Sequence, residues 1–145
     1  ALNHSYSHII TIDSDLQHDP SHINDFLKID SKYLLVYGKR TFFKSMSLHR
    51  SLSNYITSKI ISLICRKSIY DTQCGYRRYS LDLFKNVSFK EAGYQFESEI
   101  LLKKINSNTD INYVNIKTIY NTSTSHMNYF KDTHKFIKCV LRELF

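Results

Sequence analysis

Residues 8–12, His-Ile-Ile-Thr-Ile, form a short run rich in β-branched side chains that stops on Asp13-Ser14-Asp15. Such a run reads as a buried strand. Its C-terminal end delivers two carboxylates one residue apart, and open α/β sheets bind ligands just outside those ends. In extended backbone, residues i and i+2 point the same way. Asp13 and Asp15 can therefore converge on one hard cation, Mg2+ or Mn2+, with Gln17 continuing the parity as a neutral oxygen donor. Two adjacent carboxylates are costly unless a cation neutralises them. The same three residues can also simply end a strand and open a turn, so the neighbours decide.

Downstream, Asp19-Pro20-Ser21 signals a helix start, with a short helix over about 22–29. Tyr33 to Tyr37 reads as a second strand closed by Gly38, and 41–47 as a loop. Residues 48–66 form the longest helical pattern. Leu48, Leu52, Tyr55, Ile56, Ile60, Leu63 and Ile64 recur at steps of three and four, the spacing of a packing face. The polar side of that helix carries Arg50, Lys59 and Arg66 and no acid. Ser68 to Tyr79 reads as a loop around Gly75, 80–86 as a short helix, 95–105 as a helix, 111–120 as a strand and 128–143 as an amphipathic helix. The order β-α-β-α-α-α-β-α belongs to the α/β class. With no repeat or linker, 1–145 reads as a single domain.

Composition narrows the classes. At 42% hydrophobic residues the chain is neither disordered nor membrane-spanning by composition, and no stretch approaches the roughly 20 apolar residues of a spanning helix. The N-terminus has neither the basic nor the apolar region of a signal peptide. The first residue is Ala1, so the chain is expected to begin inside a longer protein. Three scattered cysteines, Cys65, Cys74 and Cys139, argue against a disulfide framework and for a reducing, cytoplasmic setting. The net charge of +7 suits phosphate-rich partners: nucleotides, anionic lipid or nucleic acid.

Basic residues gather around the carboxylates. Val36-Tyr37-Gly38-Lys39-Arg40 puts a basic pair at the end of the second strand. If the two strands run parallel, Arg40 shares the rim with Asp13 and Asp15, where a guanidinium suits a phosphate. Arg50, Arg77 and Arg78 follow. Here the residues reach a family. Asp13-Ser14-Asp15-Leu16-Gln17-His18-Asp19-Pro20 is similar to the Asp-x-Asp segment of family 2 glycosyltransferases of the GT-A fold. Within them it resembles dolichyl-phosphate mannose synthases and bacterial polyprenyl-phosphate relatives. Val36 to Arg40, Tyr70 to Tyr79 (Asp71-Thr72-Gln73-Cys74-Gly75-Tyr76-Arg77), Tyr94 to Ile100 (Tyr-Gln-Phe-Glu-Ser-Glu) and Ile119-Tyr120 with Ser125-His126 and Asp132 resemble further family blocks in the family's order.

The resemblance implies an incomplete GT-A domain, a mixed sheet flanked by helices. It implies Asp13, Asp15 and Gln17 as holders of Mg2+ or Mn2+ and, through it, of a nucleotide-sugar donor. Arg40 is implied at the donor phosphate, Arg50 and Arg77 on the acceptor side, Asp71 near the reacting centre, and Glu97 and Glu99 at the site or just behind it. The implied reaction is inverting transfer to a polyprenyl phosphate or another glycan or lipid acceptor, at the cytoplasmic face of a membrane. Peripheral membrane contact through 48–66 or 128–143 fits such an acceptor. The family's first strand, Asn-Glu turn and Asp-Asp-x-Ser segment, which hold base and ribose, are absent from these 145 residues. The N-terminal half of the domain is thus expected as a partner, and the chain alone is expected to bind nucleotide sugar weakly, or to be an inactive portion. Two rivals stand beside this reading. A haloacid-type phosphohydrolase also places Asp-x-Asp after a strand but usually has Thr where Gln17 stands. A nucleic-acid-binding module would cluster its aromatic and basic residues on one surface. The tyrosines here are scattered, so no nucleic acid is expected.

Overall fold

The computed structural model describes residues 5–40, 48–91, 93–119 and 129–145, with backbone alone for 48–50, 94 and 129–131. The expected loop 41–47, the side chain of Arg50, and Tyr120, Ser125 and His126 lie outside the described residues.

Four strands build one mixed sheet in the order β1-β3-β2-β4. They are β1 (His8–Thr11), β2 (Leu35–Arg40), β3 (Arg77–Ser80) and β4 (Ile111–Ile116). β3 runs antiparallel to both neighbours, whereas β2 and β4 are parallel. β1 and β2 therefore point the same way, and both C-terminal ends reach one rim. The fold class is the one expected, α/β with a mixed sheet and flanking helices.

Helices cover both faces. α1 (Ile23–Lys28), entered through a short 3-10 turn whose cap Asp19 accepts from the Ser21 amide, packs Phe26 with Val36, Cys74, Tyr76, Val114 and Ile116. On the other face, α2 (Leu48–Cys65) and α3 (Tyr94–Lys104) bury Ile61, Cys65, Ile100 and Leu101 against Leu35, Tyr37 and Tyr79. Burying side chains of this size stabilises by roughly 1.5–3 kcal/mol each. α4 (Tyr129–Leu144) packs on α3.

Three sequence readings need correction. The sequence around Gly75 predicts a loop over 68–79, whereas Arg77–Ser80 forms β3. Both arginines are buried, and backbone carbonyls take their donors. Arg77 donates to Cys74 and Thr72, both at 2.7 Å, and Arg78 donates to Phe26, Ile29 and Asp30. A guanidinium can be buried when most of its N–H groups are satisfied in this way, and here Arg78 Nε alone of the two groups' nitrogens is left without a partner among the described residues. Second, β2 runs through Gly38 instead of ending before it. A Cβ there would meet Ile116 Cδ1 at 2.7 Å, so the glycine lets the neighbouring strand and Cys74 close in.

Third, α2 is turned around. Its buried residues are Asn54, Ser58, Ile61 and Cys65, while Leu52, Tyr55, Ile56, Ile60 and Leu63 face outward. The polar pair is drawn inward by partners. Asn54 donates to Asp71, and the Ser58 hydroxyl bonds that of Thr72 and accepts from the Thr72 amide. The remaining boundaries shift by a few residues. The expected short helix at 80–86 is a 3-10 turn, Leu81–Phe84, and the last strand stops at Ile116, with Thr118 bridging to His18.

Candidate functional site

The register of β1 with β3 pairs Thr11 with Arg77. Two residues further on, the same register sets Asp13 opposite Gly75, and the packing agrees. A Cβ built on Gly75 would lie 2.2 Å from Asp13 Oδ1. The Thr11 hydroxyl donates to the Gly75 carbonyl at 2.8 Å and fixes this edge. Only glycine leaves room for the Asp13 carboxylate to lie on the β3 backbone.

His18 holds that carboxylate from the other side, with Nε2 at 3.5 Å from Asp13 Oδ2. The imidazole is buried and tilted against the Tyr76 ring, and its Nδ1 has no hydrogen-bond partner among the described residues. The His18 hydrogen bond lowers the Asp13 pKa below its usual 3.8. Burial works against this, while His18 charge, the Gly75 backbone and Arg40 add to it. A lowered carboxylate pKa contributes stability above the ordinary value, and that contribution is lost as pH falls through the lowered one. Replacing His18 with alanine is therefore expected to move the Asp13 pKa upward toward its ordinary value, as read by a carboxyl-carbon NMR titration. Asp15 is exposed, and its Oδ1 accepts from the Gln17 amide at 3.0 Å. The Gln17 carbonyl accepts from Ile119, which fastens this turn to the chain after β4.

Arg40 ends β2 on the same rim, close enough that its charge acts on Asp13. Its guanidinium is braced by a carboxylate. Nε and Nη2 make a two-pronged bridge to Asp71, at 2.7 and 2.9 Å, with both side chains buried. Asp71 also accepts from Asn54 Nδ2 at 2.9 Å and from the Gln73 amide at 3.3 Å. Asp71 was expected near the reacting centre. It is 0% exposed, so it anchors Arg40 and meets no solvent-borne substrate in this arrangement.

Arg77, expected on the acceptor side, is also buried, and it ties the 72–74 segment to β3. Glu97 and Glu99 part company. Glu97 lies in the field of Arg77, Asp13, Arg40 and Asp71, and burial pushes its pKa up, with Arg77 opposing. Glu99 turns to the opposite side of α3, because two residues rotate a helix by about 200°. There it accepts from the Lys90 and Glu91 amides and bridges Lys103 and Arg142, joining α3 to α4. The rim thus gathers Asp13, Arg40, Asp71 and Glu97, with Asp15 and Gln17 on the adjoining turn, and it leaves Glu99 out.

Two contributors escaped the sequence reading. Asn54 sits at helical spacing with Ser58 and Ile61, but a polar side chain in an apolar helix reads as surface. His18 stands inside the Asp-x-Asp block, which assigns it no role, and His22 bonds Asp25 at 3.1 Å. Among the described residues, no three His, Cys, Asp or Glu side chains form a closed cation cage. Two carboxylates with an amide beside them are hard oxygen donors, a set that fits Mg2+ or Mn2+ with positions left open.

The mixed sheet with its flanking helices has the GT-A fold, as solved structures of similar fold show. Glucosyl-3-phosphoglycerate synthase from Mycobacterium tuberculosis superposes with a TM-score of 0.71 at 15% identity in its complex with Mn2+, UDP-glucose and phosphoglyceric acid. That match covers 97% of this chain and 51% of the synthase. Its complex with Mg2+ and UDP gives 0.68 at 15% identity, over 97% and 50%. In sequence, the chain is 33% identical to the uncharacterized protein MJ0544 of Methanocaldococcus jannaschii over 91% of its own length and 63% of that protein's. It is 28% identical to MJ1222 of the same organism over 77% and 49%. The chain thus spans about half to three fifths of the length of the proteins it matches. No family model matches it.

Proposed function

We propose that this chain is the metal- and acceptor-side portion of an inverting glycosyltransferase that moves a sugar from a nucleotide sugar to a phosphate-bearing acceptor. The single observation that carries the reading is the common rim. Asp13 lies on Gly75 under His18, with the charges of Arg40 and Glu97 within reach. The motif resemblance points to a polyprenyl phosphate as acceptor, and the structurally similar synthase was crystallised with phosphoglyceric acid. Both carry a phosphate. UDP-sugars are the first donors to try, since that synthase was crystallised with UDP-glucose.

A divalent cation would be held by Asp13 and Asp15, with Gln17 beside them. When bound it supplies positive charge to a departing diphosphate. The chain's own residues do the remaining work. Arg40, braced by Asp71 and Asn54, keeps a fixed positive charge beside the carboxylates, and fixed charge aimed at a leaving group costs no reorganisation. Arg77 holds the segment that carries Gly75 in place, and Arg50 is proposed for the acceptor side. Where the acceptor is a polyprenyl phosphate, its phosphate oxygen is already ionised at neutral pH. It attacks the anomeric carbon as the bond from that carbon to the diphosphate oxygen breaks, and the nucleotide diphosphate leaves with the electron pair. Little general-base help is required, so positioning dominates. A lipid-linked acceptor would put this work at the cytoplasmic face of a membrane.

The test is transfer of labelled sugar from UDP- and GDP-sugars to polyprenyl phosphate, with 3-phosphoglycerate as a rival acceptor, by the gene product that carries this chain. Metal-dependent transfer lost on Asp15→Ala is expected. Hydrolysis of phosphomonoesters in its place would overturn the reading. Glu97 supplies a second check. A carboxyl whose pKa is raised by burial favours the folded state at low pH and loses that contribution as pH rises through the raised value. Glu97→Gln is therefore expected to leave stability at neutral pH unchanged or slightly higher while transfer falls. Denaturant melts at pH 5 and pH 8 read the first part, and a clear loss of stability at pH 8 would contradict it.

A further inference from the structure

We propose that Thr118 is a positioning residue for Asp13: its hydroxyl donates to His18 Nδ1 and so holds the ring in the tautomer whose Nε2–H faces the Asp13 carboxylate. The inference deepens the cation role proposed for Asp13 and rests on it. Past β4, residues 117–119 lie along residues 17–22. The Ile119 amide donates to the Gln17 carbonyl at 2.9 Å and the Lys117 amide to His22 Nε2 at 3.3 Å. Between them Thr118 forms an antiparallel bridge with His18. The bond from Ile119 to Gln17 lies one residue outside that bridge on each side. His18 and Thr118 are therefore a pair of the non-hydrogen-bonded kind, whose Cα atoms approach to about 4.5 Å and whose side chains share one face.

Each side chain of the pair carries an unanswered atom. Among the described residues three buried side-chain polar atoms lack a partner, and two of them are His18 Nδ1 and Thr118 Oγ1. Buried polar atoms are as a rule hydrogen-bonded, so two orphans in one cross-strand pair answer each other. Chemistry fixes the direction. An ionised carboxylate only accepts, so Nε2, 3.5 Å from Asp13 Oδ2, carries the proton. In a neutral ring Nδ1 is then the acceptor, and a threonine hydroxyl can donate to it. A turn about the Thr118 Cα–Cβ bond, or one shared water, brings the O–H to Nδ1. The opposite tautomer would set the Nε2 lone pair against the carboxylate and push Asp13 off Gly75. Carboxylates that hold a metal are themselves hydrogen-bonded, and the proton on a histidine is placed by the bond its other nitrogen makes.

A long-range proton–nitrogen NMR correlation at neutral pH tests this, on the gene product that carries this chain, labelled in histidine. A His18→Gln variant assigns the His18 signals. The ring is expected with Nε2 protonated and Nδ1 bare and accepting. Thr118→Val keeps the shape and removes the hydroxyl. It is expected to shift the Nδ1 signal away from its hydrogen-bonded position and to weaken Mn2+ binding by about tenfold, the lower end for loss of a group that orients a metal ligand. Thr118→Ser, which keeps the hydroxyl, is expected to restore both. The ring signals need no metal. A proton on Nδ1 in the parent, or an Nδ1 signal that Thr118→Val leaves in place, would overturn the relay and leave the metal reading of Asp13 standing. A parent that binds no Mn2+ would overturn that reading, and the positioning role with it, whatever the ring signals show.

Discussion

Replacing Asp71 with alanine is expected to destabilise the fold by about 3–5 kcal/mol, the usual cost of leaving one member of a buried ion pair alone. Arg40 is 8% exposed and gives Nε and Nη2 to this carboxylate, so its charge would lose a buried partner that helps to offset its desolvation. Asn54 Nδ2 would lose its acceptor as well. Most of the penalty comes from stranding these groups, because the Coulomb gain of a buried pair is largely offset by taking both ions out of water. The double variant Arg40→Met/Asp71→Leu should therefore recover much of the loss while removing the rim's positive charge. Urea titration of the two variants reads this directly. A single-variant loss below about 1 kcal/mol would mean that Arg40 swings into solvent and that the pair is not a fixed part of the rim.

Gly75→Ala is expected to do the opposite, sparing the fold and damaging the site. Gly75 is not among the residues with positive φ, so its backbone accepts alanine. Replacing glycine at such a position changes stability by less than about 1 kcal/mol in either direction. The new methyl group, however, would sit where the Asp13 carboxylate now lies. Asp13 is 47% exposed in its side chain, so it can rotate outward, away from its contact with His18. Displacing a group that orients a metal ligand typically costs 10–100-fold in affinity, and a displaced ligand should cost at least that. Mn2+ titration followed by proton relaxation is the measurement, and unchanged affinity in a folded Gly75→Ala chain would separate Asp13 from any metal role.

The parts of the fold that were legible share one property: their local pattern and their tertiary environment agree. The β-branched run before Asp13 is a strand with its acids at the rim, although it lies half-buried at the sheet edge where a buried strand was expected, and the apolar positions of 95–105 pack as a helix should. The parts that were not legible are those where partners distant in sequence reverse the local preference. Arg77 and Arg78 make a strand because carbonyls of 72–74 and of α1 wait for their donors. The periodicity of α2 was read correctly as helical but not which side faces in, because Asp71 and Thr72 attract Asn54 and Ser58. Glu97 and Glu99 look equivalent in a motif and diverge once helical rotation is applied. Arg40 and Asp71 each had a substrate role by resemblance, and only coordinates reveal that they hold each other. Cys74 is fully buried, and burial pushes its thiol up to about 12.

The central claim is that Asp13 and Asp15 jointly hold a divalent ion that receives a diphosphate. Paramagnetic broadening of backbone amide signals by Mn2+ in the presence of pyrophosphate tests it most directly, because it needs neither the sugar nor the base. Selective broadening of residues 13–17 and Gly75, abolished in an Asp13→Ala/Asp15→Ala chain, is the predicted result. Broadening centred elsewhere, or unchanged by the double substitution, would contradict the account.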